Sequence, residues 1–319
     1  MDGILLLGEA LVDMISPDVG TDLAHARTFV KAAGGAVANV AVGLARLGAR
    51  GSFAGAVGDD PFGQFVRGYL ADQGVDVRWL RVLPDYPTGV VFVCLDADRV
   101  PSFCFYGAPS ADMMYGPELV EPAMLDGVGW LHCGTVSMVR EESRAATWKL
   151  LDLARTRATK ICFDPNLRLH LWRDHARLRE TAQRTAAQAD LVKLNRDELE
   201  FLTGEAEPAA GARALRALGP AAVVVTLGPQ GAYFQGPEGE GREPGVVVAA
   251  VDTTGAGDAF AAGLLAALAG AAWPPDAPAL RSAVRQANAC GALATTALGA
   301  TAGLARAEEL AEFLRGRRG

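Results

Sequence analysis

An α/β domain with a mostly parallel central sheet, helices on both faces and a small β appendage is the fold class the sequence predicts. Three observations carry it. Short β-branched or Leu-rich runs alternate with helical patterns for most of the 319 residues, as strands joined by crossover helices do. Two short β runs, 89–95 and 102–106, flank the polar turn Asp96-Ala97-Asp98-Arg99 with no helix between them, so they break that alternation. No internal repeat or low-complexity linker divides the chain, which makes 1–319 one domain with an appendage.

The elements follow in order. Residues 4–7 read as a buried first strand. Val37, Val40, Ala41, Leu44 and Leu47 fall at helical spacing, so 37–47 is an amphipathic helix that stops at Gly48. Between them, around 28–31, the connection is long for a βα loop. The next strand is 52–57, and Asp60-Pro61 supplies an N-cap and first residue for the helix after it. Runs 130–133, 160–163, 191–194 and 222–227 are further strands, each expected to lead into a helix. The ribbon 89–106 is either a lid or an edge hairpin of the main sheet; pattern alone leaves both open.

Half of the residues are hydrophobic, enough for a large core. Lys and Arg number 30 against 37 Asp and Glu, a formal charge of −7. Without a basic block, that balance argues against nucleic acid or a membrane surface as partner. The five cysteines (Cys94, Cys104, Cys133, Cys162, Cys290) form no pair or cluster with metal-ligand spacing, and reduced thiols suit a reducing cytosol. The first nine residues carry acid where a signal peptide carries base, and the apolar stretch 259–273 is shorter than the ~20 residues of a membrane span. A cytoplasmic protein with small-molecule ligands is expected.

The chemistry concentrates in Val251-Asp252-Thr253-Thr254-Gly255-Ala256-Gly257-Asp258-Ala259-Phe260. A β run at 246–251 leads into a turn of small residues and then a helix rich in Ala and Leu. Amides of Gly255, Ala256 and Gly257 can approach an anion closely at the positive end of the helix dipole. Asp258 follows in the first helical turn. A carboxylate beside an anion hole is what phosphoryl transfer to an alcohol requires: the base takes the hydroxyl proton while amides and a metal stabilise the transferred group. Rival phosphate motifs are missing. No Gly-Lys dipeptide occurs, so there is no GxxxxGK[ST] loop, and Phe260 stands where GxGxxG needs its third glycine.

With these residues in view, the sequence resembles the ribokinase-like sugar kinases, the phosphofructokinase B family. The segment 252–263 is similar to the family's second signature. Gly34-Gly35-Ala36-Val37-Ala38-Asn39-Val40-Ala41, with Leu47-Gly48 and 55–63, is similar to the first, apart from Val37 where proline is common. Asn195-Arg196-Asp197-Glu198 looks like the NxxE element, and Thr226-Leu227-Gly228 with Gly231 like the nucleotide loop. The resemblance implies a ribokinase-like three-layer α/β/α domain with a small β-strand lid, about 10–33 and 85–108. It implies Asp258 as base with Gly255, Ala256 and Gly257 as anion hole. Asp13, Gly34, Gly35, Asn39, Asn166 and Arg168 would bind sugar, under Phe103 or Phe105 of the lid. ATP would meet Lys193, Asn195, Thr226, Gly228, Gly231 and Asn288. Magnesium would sit near Asn195 and Glu198 through water, and potassium near Asp252, Thr254 and the backbone at Gly299. A homodimer through the lid is also implied.

The details lean toward a fructokinase. Gly8 to Asp13, Phe163-Asp164-Pro165-Asn166-Leu167-Arg168 with Leu171-Trp172 nearby, and Ser110-Ala111-Asp112-Met113 are similar to that branch. Transfer to the 6-hydroxyl of D-fructose is then expected. Kinases of 2-keto-3-deoxygluconate share the Asp-Pro-Asn-x-Arg element, where the arginine fork can hold a carboxylate. They often place another arginine after the lid aromatics, where Gly107 stands here. That kinase, and a non-catalytic sugar-binding protein of the same fold, remain alternatives. A nicotinamide-dependent dehydrogenase would need a glycine fingerprint after the first strand, and Gly8-Glu9-Ala10 is none.

Overall fold

The computed structural model describes residues 3–97, 101–107 and 109–316. Strand β1 (Gly3–Leu7) leads to β2 (Leu11–Ile15), β3 (Val30–Gly34), helix α1 (Ala36–Arg46) and β4 (Gly51–Gly58). Helix α2 (Pro61–Asp72), β5 (Asp76–Leu83), β6 (Val90–Leu95) and β7 (Pro101–Tyr106) follow. Next come β8 (Val128–Cys133), α3 (Glu141–Thr156), β9 (Lys160–Phe163), α4 (His175–Ala186) and β10 (Leu191–Asn195). Helices α5 (Arg196–Thr203) and α6 (Pro208–Arg216) precede β11 (Ala222–Thr226), β12 (Ala232–Gly236) and β13 (Gly239–Glu243). Helices α7 (Ala256–Leu268), α8 (Ala277–Ala294) and α9 (Ala307–Arg315) close the order.

The main sheet runs β13-β12-β11-β10-β9-β8-β1-β4-β5. It is parallel from β11 to β5, and the last two pairs, β11–β12 and β12–β13, are antiparallel. In the middle of it, β1 is buried on both faces. Ile4 and Leu6 join one core with residues of α1, α7 and α8, whereas Leu5 and Leu7 join the other with residues of α3 and α4. This is why GILLL reads as a continuous apolar run rather than an alternating one. Each such side chain contributes about 1.5–3 kcal/mol by leaving water.

A second sheet, β3-β2-β6-β7, lies apart from the first. Its inner strands β2 and β6 are parallel, with Asp13 opposite Val91, and the outer pairs are antiparallel. Leu11, Val91 and Val93 form its small core, with Phe103 and Phe105 packed on it. The ribbon is thus part of a separate lid-like sheet and not an edge of the main one. Of its polar turn, Asp98 and Arg99 fall outside the described residues, as does Ala108 at the end of the expected segment. Asp60 joins this region to the main body. Its Oδ1 caps α2 by accepting from Gly63 N at 2.8 Å, and its Oδ2 accepts from Thr88 N at 2.8 Å.

Two sequence expectations need correction. The run 222–227 leads into the β12–β13 hairpin rather than a helix, through a turn at Gly231 with φ 94°. The run 246–251 is no strand: the sheet ends at β13, no strand ladder extends it to these residues, and Val247 is 83 % exposed. Three consecutive valines supply β propensity but not a partner strand. Among the described residues, no helix is long and apolar enough to cross a membrane.

Candidate active site

A cavity of about 680 Å³ opens between the second sheet and the carboxyl ends of the main-sheet strands. Residues just past β1 (Glu9) and β9 (Asp164), and at the ends of β10 (Asn195) and β11 (Thr226), line it, the usual place for a ligand in an open α/β sheet. Asp13, Gly35, Asn39, Phe103, Phe105, Asn166, Arg168, Lys193, Glu198, Gly228, Thr254, Gly255, Gly257 and Asp258 all face this one space.

At its floor, Gly255 caps α7 with φ 79°, and a side chain there would collide with the backbone of Ala300. A Cβ on Gly257 would come within 3.2 Å of Lys193 Nζ, so the helix N-terminus and the lysine face one pocket for an anion. Asp258, on the first turn, is 9 % exposed. Burial pushes its pKa up to about 6, against the hydrogen bond from Asn39 and the charges of Lys193 and Arg168. Asn39 Nδ2 donates to Asp258 Oδ2 at 2.8 Å. Asn39 stands on the first turn of α1, whose cap Gly35 has φ 105° and leaves no room for a Cβ against the carbonyl of Glu9.

On the lid side, Asp13 of β2 presses its carboxylate against Gly34. Its pKa is pushed up to about 7, first by burial and then by the charge of Asp258, with Arg168 opposing. The guanidinium of Arg168 lies 5.8 Å from the ring of Phe103, and Phe105 meets His170 at 5.3 Å between centroids. Asn166 holds a left-handed φ of 43°, rare for a residue with a Cβ and a mark of functional sites.

Lys193 is buried and ion-paired with Asp164 at 2.7 Å. Burial opposes its charge, but Asp164, Glu198 and Asp258 hold its pKa above the ordinary lysine value. Asn195 and Glu198 form a reciprocal cap on α5: Asn195 Oδ1 accepts from Glu198 N and Glu198 Oε2 from Asn195 N, both at 2.9 Å. Glu198 Oε1 accepts from Leu167 N at 2.7 Å. Burial, then the charge of Asp164, raises the pKa of Glu198.

Other expected residues stand behind the cavity. Asp252 Oδ1 accepts from Thr254 N at 2.9 Å, and Oδ2 from Gly299 N at 2.8 Å, which fastens two loops below Gly255. Gly34 and Ala256 back the lining. Gly231 packs under the backbone of 243–245. Asn288 donates its amide to the carbonyls of Glu243 and Pro244, at 3.2 and 3.1 Å, so it ties α8 to the exit of β13, and it does not line this cavity. Conversely, Glu9, Asp164, His170, Thr253 and Ala300 line the cavity without having been singled out as site residues. Glu9 and Asp164 carried a signal: an acid within two residues of the end of a buried parallel strand stands at the ligand crevice.

The sequence matches the description "pfkB family carbohydrate kinase" over residues 1–307. It is 40 % identical to a fructokinase from Klebsiella pneumoniae, over 98 % of this chain and 99 % of that one. Its structure is similar to a double-mutant fructokinase from Vibrio cholerae O395 with fructose, ADP and potassium ion bound (TM-score 0.86, 36 % identity, 98 % of each chain). It is also similar to an aminoimidazole riboside kinase from Salmonella enterica complexed with aminoimidazole riboside and an ATP analogue (TM-score 0.85, 34 % identity, 98 % of this chain and 99 % of that one).

Proposed function

Because the chain belongs to the pfkB family of carbohydrate kinases, we propose that it transfers the γ-phosphate of ATP to D-fructose, giving fructose 6-phosphate, with Asp258 as the base. One observation carries this reading: the Asp258 carboxylate, oriented by Asn39, stands within one helical turn of the Gly255–Gly257 amides. A hydroxyl held between them is deprotonated on one side and meets the phosphoryl group on the other.

Asp13, Asn39, Asn166 and the Gly34-Gly35 turn supply acceptors, donors and close backbone for sugar hydroxyls. Arg168 is the cation whose charge bears on Asp13, while Glu9, Asp13 and Asp258 are three acids in the same cavity, so the sugar end suits a neutral polyol better than a keto-acid carboxylate. Phe103 and Phe105 cover it and exclude water, which keeps ATP from being hydrolysed. Lys193, Thr226 and Gly228 receive the nucleotide phosphates, with Lys193 facing the anion pocket at Gly257.

Magnesium would neutralise the phosphate charge during transfer. Glu198 and Asn195 fit it through water: both carboxylate oxygens of Glu198 already accept backbone N–H groups, with lone pairs left for hydration water and not for a direct cage. Asp252, Thr254 and the backbone at Gly299 offer only oxygens besides their mutual bonds, which suits potassium. A second copy of the chain would pair along the outer edge of β7, where Tyr106 is 70 % exposed.

The test is ADP formation with ATP–magnesium across D-fructose, 2-keto-3-deoxygluconate, D-ribose, aminoimidazole riboside and D-glucose, for wild type and Asp258→Asn. Turnover with fructose that collapses in the variant is the expected result. Turnover confined to another sugar replaces the substrate and keeps the base. Sugar binding with no turnover on any sugar favours the non-catalytic reading.

A further inference from the structure

Buried polar atoms without a hydrogen-bond partner are uncommon and call for water or a ligand. Among the described residues, three of them gather behind the sugar end of the cavity: Glu9 Oε2, Asp112 Oδ1 and His132 Nδ1. All three residues are at most 2 % exposed. Glu9 and His132 share the wall of a small chamber of about 10 Å³, which Asp258 also lines, together with Val37, Asp164 and Asn166. That volume is at the lower limit for one water molecule, and its polar wall offers a water the partners it needs.

The donors and acceptors around this chamber can be counted. Burial keeps His132 neutral, with its pKa pushed down to about 4, and the backbone of Cys162 takes the hydrogen bond of the other ring nitrogen. Nδ1 is therefore an acceptor. Asp258, ionised as a base must be, is an acceptor too; its Oδ2 already accepts from Asn39. A water that donates to both has no proton left, so it must accept from the third group. Glu9 Oε1 already accepts from Val37 N at 3.3 Å, at the start of α1. Its free Oε2 completes the set only as an O–H donor.

We propose that Glu9 acts as a protonated positioning residue, its Oε2–H donating to one chamber water that donates in turn to His132 Nδ1 and Asp258. Through Val37 the same carboxyl group fixes the helix turn that carries Asn39, so both hydrogen bonds that orient the base lead back to Glu9. The surroundings favour the protonated form. Burial first, then the charges of Asp112 and Asp258, raise the pKa of Glu9 to about 7, against hydrogen bonds from its own backbone and Val37. Asp112 faces it from the turn Ala111–Met114 and Asp258 from α7, while Asp164, just past β9, shares the chamber wall and Asp13 of β2 the larger cavity. The cations Lys193 and Arg168 bear on Asp258 and Asp13. The role rests on Asp258 being the base.

Glu9→Gln keeps the size, keeps an acceptor for Val37 N–H and donates permanently, whereas ionised Glu9 cannot donate. With the sugar the enzyme accepts, kcat of wild type is expected to fall as pH rises above about 7, and E9Q is expected to lack that fall. Glu9→Ala should lower kcat at every pH. An alkaline limb identical in wild type and E9Q overturns the proposal, because a merely structural side chain would leave it in place. Should E9Q fail to fold, a high-resolution crystal structure of the wild type at about pH 6 decides. Ordered water within hydrogen-bond distance of Glu9, His132 and Asp258 sustains the network, and a dry chamber sinks it. Turnover retained in D258N would remove the base itself, an outcome distinct from an unmoved limb in E9Q.

Discussion

Asn39 and Asp258 lie 219 positions apart in the chain, yet the amide of one donates to the carboxylate of the other at 2.8 Å. The bond joins the first turns of two neighbouring helices, α1 and α7. Asn39→Ala removes a hydrogen bond to a charged group, worth about 1.5–3 kcal/mol. A drop in kcat of about ten- to hundredfold is expected. Because this bond lowers the pKa of Asp258, its loss raises that pKa above about 6, so the acid limb of the kcat profile moves to higher pH. A pH–rate series on both proteins checks it.

Four acids of the site hold their protons tightly: Glu9 and Asp13 to about 7, Asp112 and Asp258 to about 6, burial being the first cause in each. A raised carboxyl pKa means that the folded state keeps a proton the unfolded chain has released. Its stabilising contribution is complete below the ordinary carboxyl range and is lost as pH rises toward 7. The loss is up to about 1.4 kcal/mol for each tenfold difference in proton affinity between the folded and unfolded chain. Asp13→Asn should therefore melt higher than wild type at about pH 8, with the gap closing toward about pH 4. Melting curves across that range provide the comparison, and weaker sugar binding by the same variant is expected.

Lys193 and Asp164 form a buried ion pair, so removing one partner strands the other. Lys193→Met is expected to cost about 3–5 kcal/mol in denaturant unfolding. Adding Asp164→Asn should restore part of that stability and none of the turnover. If the single and double variants unfold at the same denaturant concentration, the pair is not what holds this corner.

Gly255→Ala forces a Cβ into a left-handed turn that already touches Ala300. The backbone penalty alone is about 1–2 kcal/mol, and relief requires the amides at the α7 N-terminus to move. Since losing one such donor costs about 10²–10³ in rate, kcat should fall by about that factor while the far-ultraviolet circular dichroism stays native.

Much of the fold was legible because it obeys local rules. The apolar spacing of α1, the Asp60-Pro61 start of α2 and the buried runs of β1, β9 and β10 each follow from one short window. The Val246–Val251 stretch misled because strand propensity says nothing about whether a sheet edge is free. Asn288 shows the same limit in another way: its bonds to the carbonyls of Glu243 and Pro244 depend on where β13 ends, and only coordinates reveal them. Glu9, Asp112 and His132 were legible as residues but not as a group. They come from the exit of β1, a short turn and β8, and their shared burial is a property of the assembled sheet.

The parallel pairing of β2 with β6 places Asp13 opposite Val91 in the same sheet that presents Phe103 and Phe105, whereas Asp258 belongs to α7 on the main body. A sugar held by both carboxylates would bridge the two sheets. Any swing of the small sheet would carry Asp13 with it, so a sugar bound as proposed would act as a tether between the two. A sugar lacking the hydroxyls that reach Asp13 would leave the cover unfastened even with nucleotide in place, so discrimination would be exercised by the cover before any bond is made.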